Sequence, residues 1–314
     1  MRQRIILAGG SGFLGQGLAE EFRGQPVETI VLTRSPRPRV DGVREVTWDG
    51  ATLGPWAQLV DGAAAVINLA GKNINCTFTP ENRRLIVASR VAATRVIAAA
   101  VQKAARPPEV LIQASAIGFY GETRLSEADE TTPSGGGFLA EACRAWEGAL
   151  DIKSLPATRC VTLRLGVVLG RHGGALPVLA RLTRWFLGGA VGDGGQFMSW
   201  IHQRDFNRIV AVALEQDGWR GVFNCTAPKP VTNREFMREL RRAVHRPWSP
   251  PVPGVAVRLM APLFGMEPSL ALGSQRVVPA RLLASGFKFQ FSEVRAALES
   301  LVGHPTPADS NTGR

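Results

Sequence analysis

The sequence predicts an α/β fold, a doubly wound parallel sheet followed by a smaller mixed region. Three observations predict it. Short apolar runs alternate with helical segments through the first 170 residues. A turn with regularly spaced glycines follows the first of those runs. After Gly170 the alternation loosens, and glycines and prolines become frequent.

The strands are read in order as Arg4–Ala8, Glu28–Arg34, Arg44–Asp49, Ala64–Gly71 and Glu109–Ala116, with a sixth inside Ala157–Gly170. They are near-continuous apolar runs, as expected of strands buried on both faces. Between the fourth and fifth, Glu81–Ala104 reads as one long helix with Leu85, Ala92, Val96 and Ala100 on or near a single face. Later, "DFNRIVAVALEQ" and "NREFMRELRRAVH" read as helices, opened by Asp205 and Asn233 as capping residues. "PPVPGVAVRLM" begins another after a proline-rich turn. No Ser/Gly linker is visible, so the C-terminal part is expected to pack on the sheet.

Composition narrows the class. The chain has 314 residues, 45% of them hydrophobic, enough for a substantial core of a soluble protein. No uninterrupted apolar run reaches the ~18 residues of a spanning helix, so no membrane role is expected. "MRQRIILAGG" reads as a first strand rather than a signal peptide. Cys76, Cys143, Cys160 and Cys225 are scattered, which favours free thiols, no metal site and a cytoplasmic location. The net charge of +11 is spread along the chain without a recognised nucleic-acid motif. A solvated basic surface that attracts phosphorylated ligands is therefore expected, and nucleic acid is not.

"IILAGGSGFLGQGLAEEF" places Gly9, Gly12 and Gly15 at a strand-to-helix turn. Glycines there let the backbone approach a pyrophosphate, and the helix start offers its free N–H groups. Gly9, Gly12, Phe13, Leu14 and Gly15 are thus candidate dinucleotide contacts, and residues 1–170 read as a Rossmann-type domain with later segments packing back on it. Residues 171–302 form the substrate-side region, and 303–314 a disordered tail. The second strand ends "VLTRSPRPR", with Thr33 and Arg34 at its end, Arg37 and Arg39 close by and no acid in reach. An acid there would read a free ribose 2′-hydroxyl, whereas an arginine accommodates a 2′-phosphate. The cofactor expected is therefore NADP(H).

These residues carry a resemblance. "AGGSGFLG", "NLAG" at Asn68–Gly71, "ASAIGFYG" at Ala114–Gly121 and "RLGVVLG" at Arg164–Gly170 resemble extended short-chain dehydrogenase/reductases. "GDGGQFMSWIHQRDF" and "SQRVVPARLLASGFKFQF" narrow the likeness to the atypical nucleotide-sugar epimerase-like family of the SDR39U1 type, with its C-terminal segment of unassigned role. The resemblance implies that Leu69, Ala70 and Gly71 line the cofactor and that Asp49 lies near the adenine. It places Arg90 by the phosphates or the site floor, and Val168 with Leu169 beside the nicotinamide. Gly192, Gln196, Trp200 and His202 would line the substrate side. The family's habit of pairing through helices beside the active-site wall leaves a homodimer open.

Short-chain dehydrogenase/reductases generally use Ser or Thr with Tyr and Lys, the last two one helical turn apart. On "SGGGFLAEACRAWEGAL" those two positions fall on Leu139 and Cys143, and the Ser/Thr position falls on Ala116, next to Ser115. The sole tyrosine, Tyr120, lies on a loop. Glu141 and Glu147 read as helix-surface acids. The remaining candidate catalytic groups are Tyr120, Ser115 and His202, and Lys72 is either a substrate or phosphate contact or simply solvated. The sequence thus supports an NADP(H)-binding oxidoreductase or epimerase-like protein with a non-standard catalytic set. Its substrate would be small and polar, with nucleotide sugars among the candidates. A non-catalytic NADP(H) sensor or partner-binding module is the alternative.

Overall fold

The structure is a computed structural model that describes residues 3–303. Along the chain, β1 (Gln3–Ala8) leads into α1 (Phe13–Glu21), β2 (Val27–Thr33) and β3 (Arg44–Thr47). β4 (Ala65–Asn68) feeds the long α2 (Pro80–Lys103), then β5 (Val110–Ala116), α3 (Phe138–Gly148) and β6 (Arg159–Leu165). These six strands lie parallel in the order β3-β2-β1-β4-β5-β6. Ala8 is level with Leu32 on one side and Asn68 on the other. The carboxyl ends of β1, β2 and β4 therefore open together at the point where the strand order reverses, which is where such sheets bind ligands.

Side chains alternate across the sheet, so each strand serves two cores. Ile5 and Leu7 meet Leu18 of α1 on one face, whereas Ile6 and Ala8 meet Ile97 and Ala100 of α2 on the other. Thr79 caps α2 by accepting the Asn82 N–H, and Pro80 occupies its first turn. The buried arc of α2 is Ile86, Ala93, Val96, Ile97, Ala100 and Val101, and Leu85 stays 36% exposed. The expected stripe is thus rotated, because α2 packs on α3 as well as on the sheet. By length and composition α2 could cross a membrane. Its apolar arc instead closes the core around Trp48, Trp56 and Val66.

Beyond β6 come β7 (Val167–Leu169), α4 (Leu176–Arg184), β8 (Phe197–Met198), β9 (Trp200–His202) and α5 (Gln203–Glu215). They are followed by β10 (Gly221–Cys225), β11 (Val231–Thr232), α6 (Asn233–Ala243) and α7 (Gly254–Met260). The described chain ends with α8 (Pro268–Leu272), α9 (Ala280–Ala284) and α10 (Val294–Val302). β10 joins the main sheet beside β6 as a seventh parallel strand. It was not legible as such, because "GVFNC" is short and stands far from the alternating first half. α5 adds Phe206, Ile209 and Val210 to the core under α1, and Phe287 and Phe289 pack against that core. A separate core of Leu176, Trp200, Phe236, Leu240 and Leu298 holds the C-terminal elements.

Two helix starts differ from expectation. His202, not Asp205, caps α5: its Nδ1 accepts the Arg204 N–H at 2.9 Å. Thr232, not Asn233, caps α6 in a reciprocal box with Glu235. α6 begins at Asn233 itself, and α5 begins two residues before Asp205, which frees that side chain for another contact. The expected disordered tail lies, from residue 304 on, outside the described residues.

Candidate functional site

The phosphate loop is shaped by close approach. Gly9 has φ +72°, and a Cβ there would lie 2.8 Å from the Ala70 Cα, so the loop and the end of β4 leave no room for a side chain. Gly12 is different. It begins α1 without a side-chain cap, and a Cβ on it would meet only the Gly9 carbonyl at 3.5 Å. The space over it is open, and the first-turn N–H groups of Phe13, Leu14 and Gly15 are left to a ligand. That cradle fits a pyrophosphate. The Phe13 ring itself turns away and fills the hollow made by Gly170, Gly173 and Gly174, and Leu14 packs on the core. Val168 is buried in that core, with its carbonyl close under Gly174.

At the end of β2, Thr33 donates its hydroxyl hydrogen to Ser11 Oγ at 3.1 Å, and the Ser35 N–H donates to Thr33 Oγ1. Arg34 is exposed beside this hydroxyl pair and has no ion-pair partner among the described residues. The expectation of no acid in reach is corrected: Asp41 on this loop and Glu45 on β3 lie nearby, but both engage Arg39. The guanidinium of Arg39 bonds Asp41 at 2.5 Å and reaches Gln16 on α1 at 2.8 Å. That contact pulls the Asp41 carboxyl down to about 2. The guanidinium groups of Arg34 and Arg37 are therefore left without a carboxylate partner among the described residues. Ser11 was missed, although a hydroxyl inside the glycine loop was a readable signal.

Asp49 folds back on its own turn, accepting from the Thr52 hydroxyl and from the N–H groups of Ala51 and Thr52. These bonds hold its carboxyl at about 2. After β4, the Leu69 N–H bonds Ala8 and the Ala70 N–H bonds the buried Asn68 side chain. Gly71 sits against Arg90, which donates to the Lys72 and Ile86 carbonyls at 3.0 Å each and stacks 4.9 Å over Trp146. The Lys72 backbone N–H bonds Ser89 Oγ.

Helix α3 forms a wall without a titratable catalyst. A Cβ on Gly118 would meet the Leu139 Cβ at 3.2 Å and the Cys143 Sγ at 3.7 Å. The Cys143 thiol is 3.6 Å from the Ala116 carbonyl, and burial pushes it up to about 11. Leu139, Cys143 and Ala116 thus converge at the end of β5 and offer neither an acid nor a cation.

The hydroxyls nominated from the sequence are committed elsewhere. Ser115 donates to Glu147 at 2.6 Å. Glu147 accepts both arms of Arg164, at 2.9 and 2.8 Å. Arg164 also donates to the Tyr120 hydroxyl at 2.8 Å and stacks 3.4 Å from the Phe119 ring centre. Tyr120 in turn donates to Asn224 of β10 at 2.7 Å, and burial raises its pKa. Glu147 is therefore not a surface acid. It ties α3 to β6, and its partners lie on strands too distant in sequence for helical periodicity to reveal them. Asn224 was missed with its strand.

His202 is 2% exposed, far from bulk solvent. Its Nε2 lies 3.1 Å from Ser300 Oγ, its ring stacks on Phe291 at 3.8 Å, and burial pulls it down to about 4. Beside it, Asp205 accepts the N–H groups of Gln290 and Phe291 at 2.8 Å each. Trp200 is buried, its indole bonding the Lys229 carbonyl. The Gln196 amide bonds the carbonyls of Val191 and Ala271. Gly192, at φ +61°, faces Leu272. The side chain that reaches the wall from the C-terminal part is Gln275, whose amide would lie 3.9 Å from a Cβ on Gly118.

Comparisons with known proteins agree with this geometry. Residues 5–225 match the NAD dependent epimerase/dehydratase family, and residues 252–301 match a domain of unknown function. The chain is 34% identical over 303 residues to the chloroplastic epimerase family protein SDR39U1 homolog of Arabidopsis thaliana, covering 95% of this chain and 86% of that one. It is 34% identical over 309 residues to the epimerase family protein YfhF of Bacillus subtilis, covering 95% and 97%. The crystal structure of human epimerase family protein SDR39U1 with NADPH superposes with a TM-score of 0.85 at 32% identity, over 96% of this chain and 99% of that one. With a seven-stranded parallel sheet, an open glycine cradle and these relatives, the chain belongs to the NAD dependent epimerase/dehydratase family and is of the SDR39U1 type.

Proposed function

We propose that the chain binds NADP(H) in preference to NAD(H) and uses it on a small polar substrate, with nucleotide-linked sugars as the first class to test. The observation that carries the cofactor preference is Arg34. It is an unpaired cation beside the Ser11–Thr33 hydroxyl pair, where a ribose 2′-phosphate would complete it. The relative solved with NADPH supports the same reading. When bound, the nicotinamide would supply or accept hydride. The chain's own part is to hold the pyrophosphate on the α1 N-terminus, anchor the 2′-phosphate at Arg34, and wall the nicotinamide side with Leu139 and Cys143. Because Ser115, Tyr120 and His202 are held in the frame, a proton for turnover is left to water or substrate at the mouth between Gly118 and Gln275.

Arg34→Glu is expected to weaken NADPH binding by about 10- to 100-fold, the worth of one charge-assisted contact, and to leave NADH binding unchanged. Isothermal titration checks this, and equal wild-type affinity for both dinucleotides would refute the preference.

A second reading, an NADP(H)-binding sensor or partner-binding module without turnover, is favoured by the uncharged α3 wall. Two measurements separate the readings: NADPH oxidation across a carbonyl panel, and cofactor-retained epimerisation of nucleotide sugars. Tight NADPH binding with no turnover on either supports the sensor.

A further inference from the structure

The helix expected to aim a cation at the nicotinamide end presents Leu139 and Cys143 instead. A cation nevertheless lies near Cys143, brought by a different helix. Arg90 of α2 reaches under the β4 loop, where a Cβ on Gly71 would lie 3.1 Å from its Cζ. Its guanidinium lies over the Trp146 ring of α3, and its charge acts on the Cys143 thiol, drawing that pKa down against burial. Two carbonyls, of Lys72 and Ile86, hold one arm of the fork. No carboxylate pairs with it among the described residues. A largely desolvated guanidinium without a counter-charge is costly, and such groups cluster where a ligand completes them. The rim of the cofactor crevice, between Gly71 and Cys143, is such a place.

We propose that Arg90 replaces the missing lysine: the arm of its guanidinium not held by carbonyls binds the nicotinamide-side ribose of NADP(H) across Gly71. This rests on the NADP(H) reading above. The cation has moved from α3 to α2, and the small, uncharged Cys143 on α3 leaves it room. Gly71 is part of the same arrangement, since any side chain there would press on the guanidinium.

The test is isothermal titration of the full chain with NADPH and with 2′,5′-ADP, which carries the 2′-phosphate but no nicotinamide ribose. In Arg90→Gln, NADPH binding is expected to weaken tenfold or more, while 2′,5′-ADP stays within about twofold. Adding Cys143→Lys to that variant is expected to restore most of the lost affinity, because the lysine ammonium would return from the neighbouring helix. A purely structural role for Arg90 would not be rescued in this way. Gly71→Ala tests the same contact without removing the charge and is expected to weaken NADPH several-fold and selectively. Equal loss of both ligands, no loss of either, or a folded double variant without rescue overturns the assignment. Failure of the wild-type chain to bind NADPH overturns the NADP(H) reading itself.

Discussion

Arg164→Ala is expected to cost about 3–5 kcal/mol of folding stability, the usual penalty for breaking a buried ion pair from one side. The side chain is 6% exposed and carries four contacts at once: two bonds to Glu147, one to Tyr120, and the Phe119 ring face. Its loss leaves the Glu147 carboxylate inside the α3–β6 contact with only the Ser115 hydroxyl. Urea unfolding followed by circular dichroism measures the effect. The double variant Arg164→Met with Glu147→Met is expected to recover much of the loss, because a paired desolvation cost vanishes with both charges. A single variant within about 1 kcal/mol of wild type would show that the pair fastens nothing.

Acid should weaken the protein through His202, by a window whose sign is fixed by its environment. The ring is neutral in the fold, with its pKa pulled from 6.5 to about 4 by burial and by the nearby Arg204 charge. The unfolded chain therefore binds a proton that the folded chain refuses between those values. Stability from this group is complete above about pH 6.5 and falls as the pH drops toward 4, by about 3 kcal/mol in total. In His202→Asn, which keeps a capping acceptor, that part of the acid slope should be absent. Paired urea titrations at pH 7 and pH 4.5 check it. Equal slopes for the two proteins would mean that His202 titrates normally.

The parts legible in the sequence were those with a local cause. The first six strands showed as apolar runs, and the glycine spacing showed at the turn after the first of them, with Gly9 there for close approach and Gly12 for open space. What escaped depends on residues brought together from afar. Glu147 looked like a surface acid because its partners, Ser115 and Arg164, sit on two strands rather than on its own helix. The cap of α5 was misplaced because His202 is an uncommon cap, and the nearby Asp205 looked better suited. Asp205 is instead spent on the distant N–H groups of Gln290 and Phe291. The α2 stripe was off by a fraction of a turn because a helix packed on two neighbours buries an arc wider than one apolar line.

The Asp205 contact also bears on how this protein can be cut. The family match for the C-terminal segment begins at residue 252, but that boundary is not a mechanical seam. Beyond it, Phe287 and Phe289 plug the main core, and Phe291 covers the His202 ring. A shortened chain ending near residue 251 would open the floor of the dinucleotide-binding half and strand a buried carboxylate. It should be recovered as insoluble material rather than as a smaller working domain. Residues 252–301 are in that sense the closing stone of the first half, required by the core they cover.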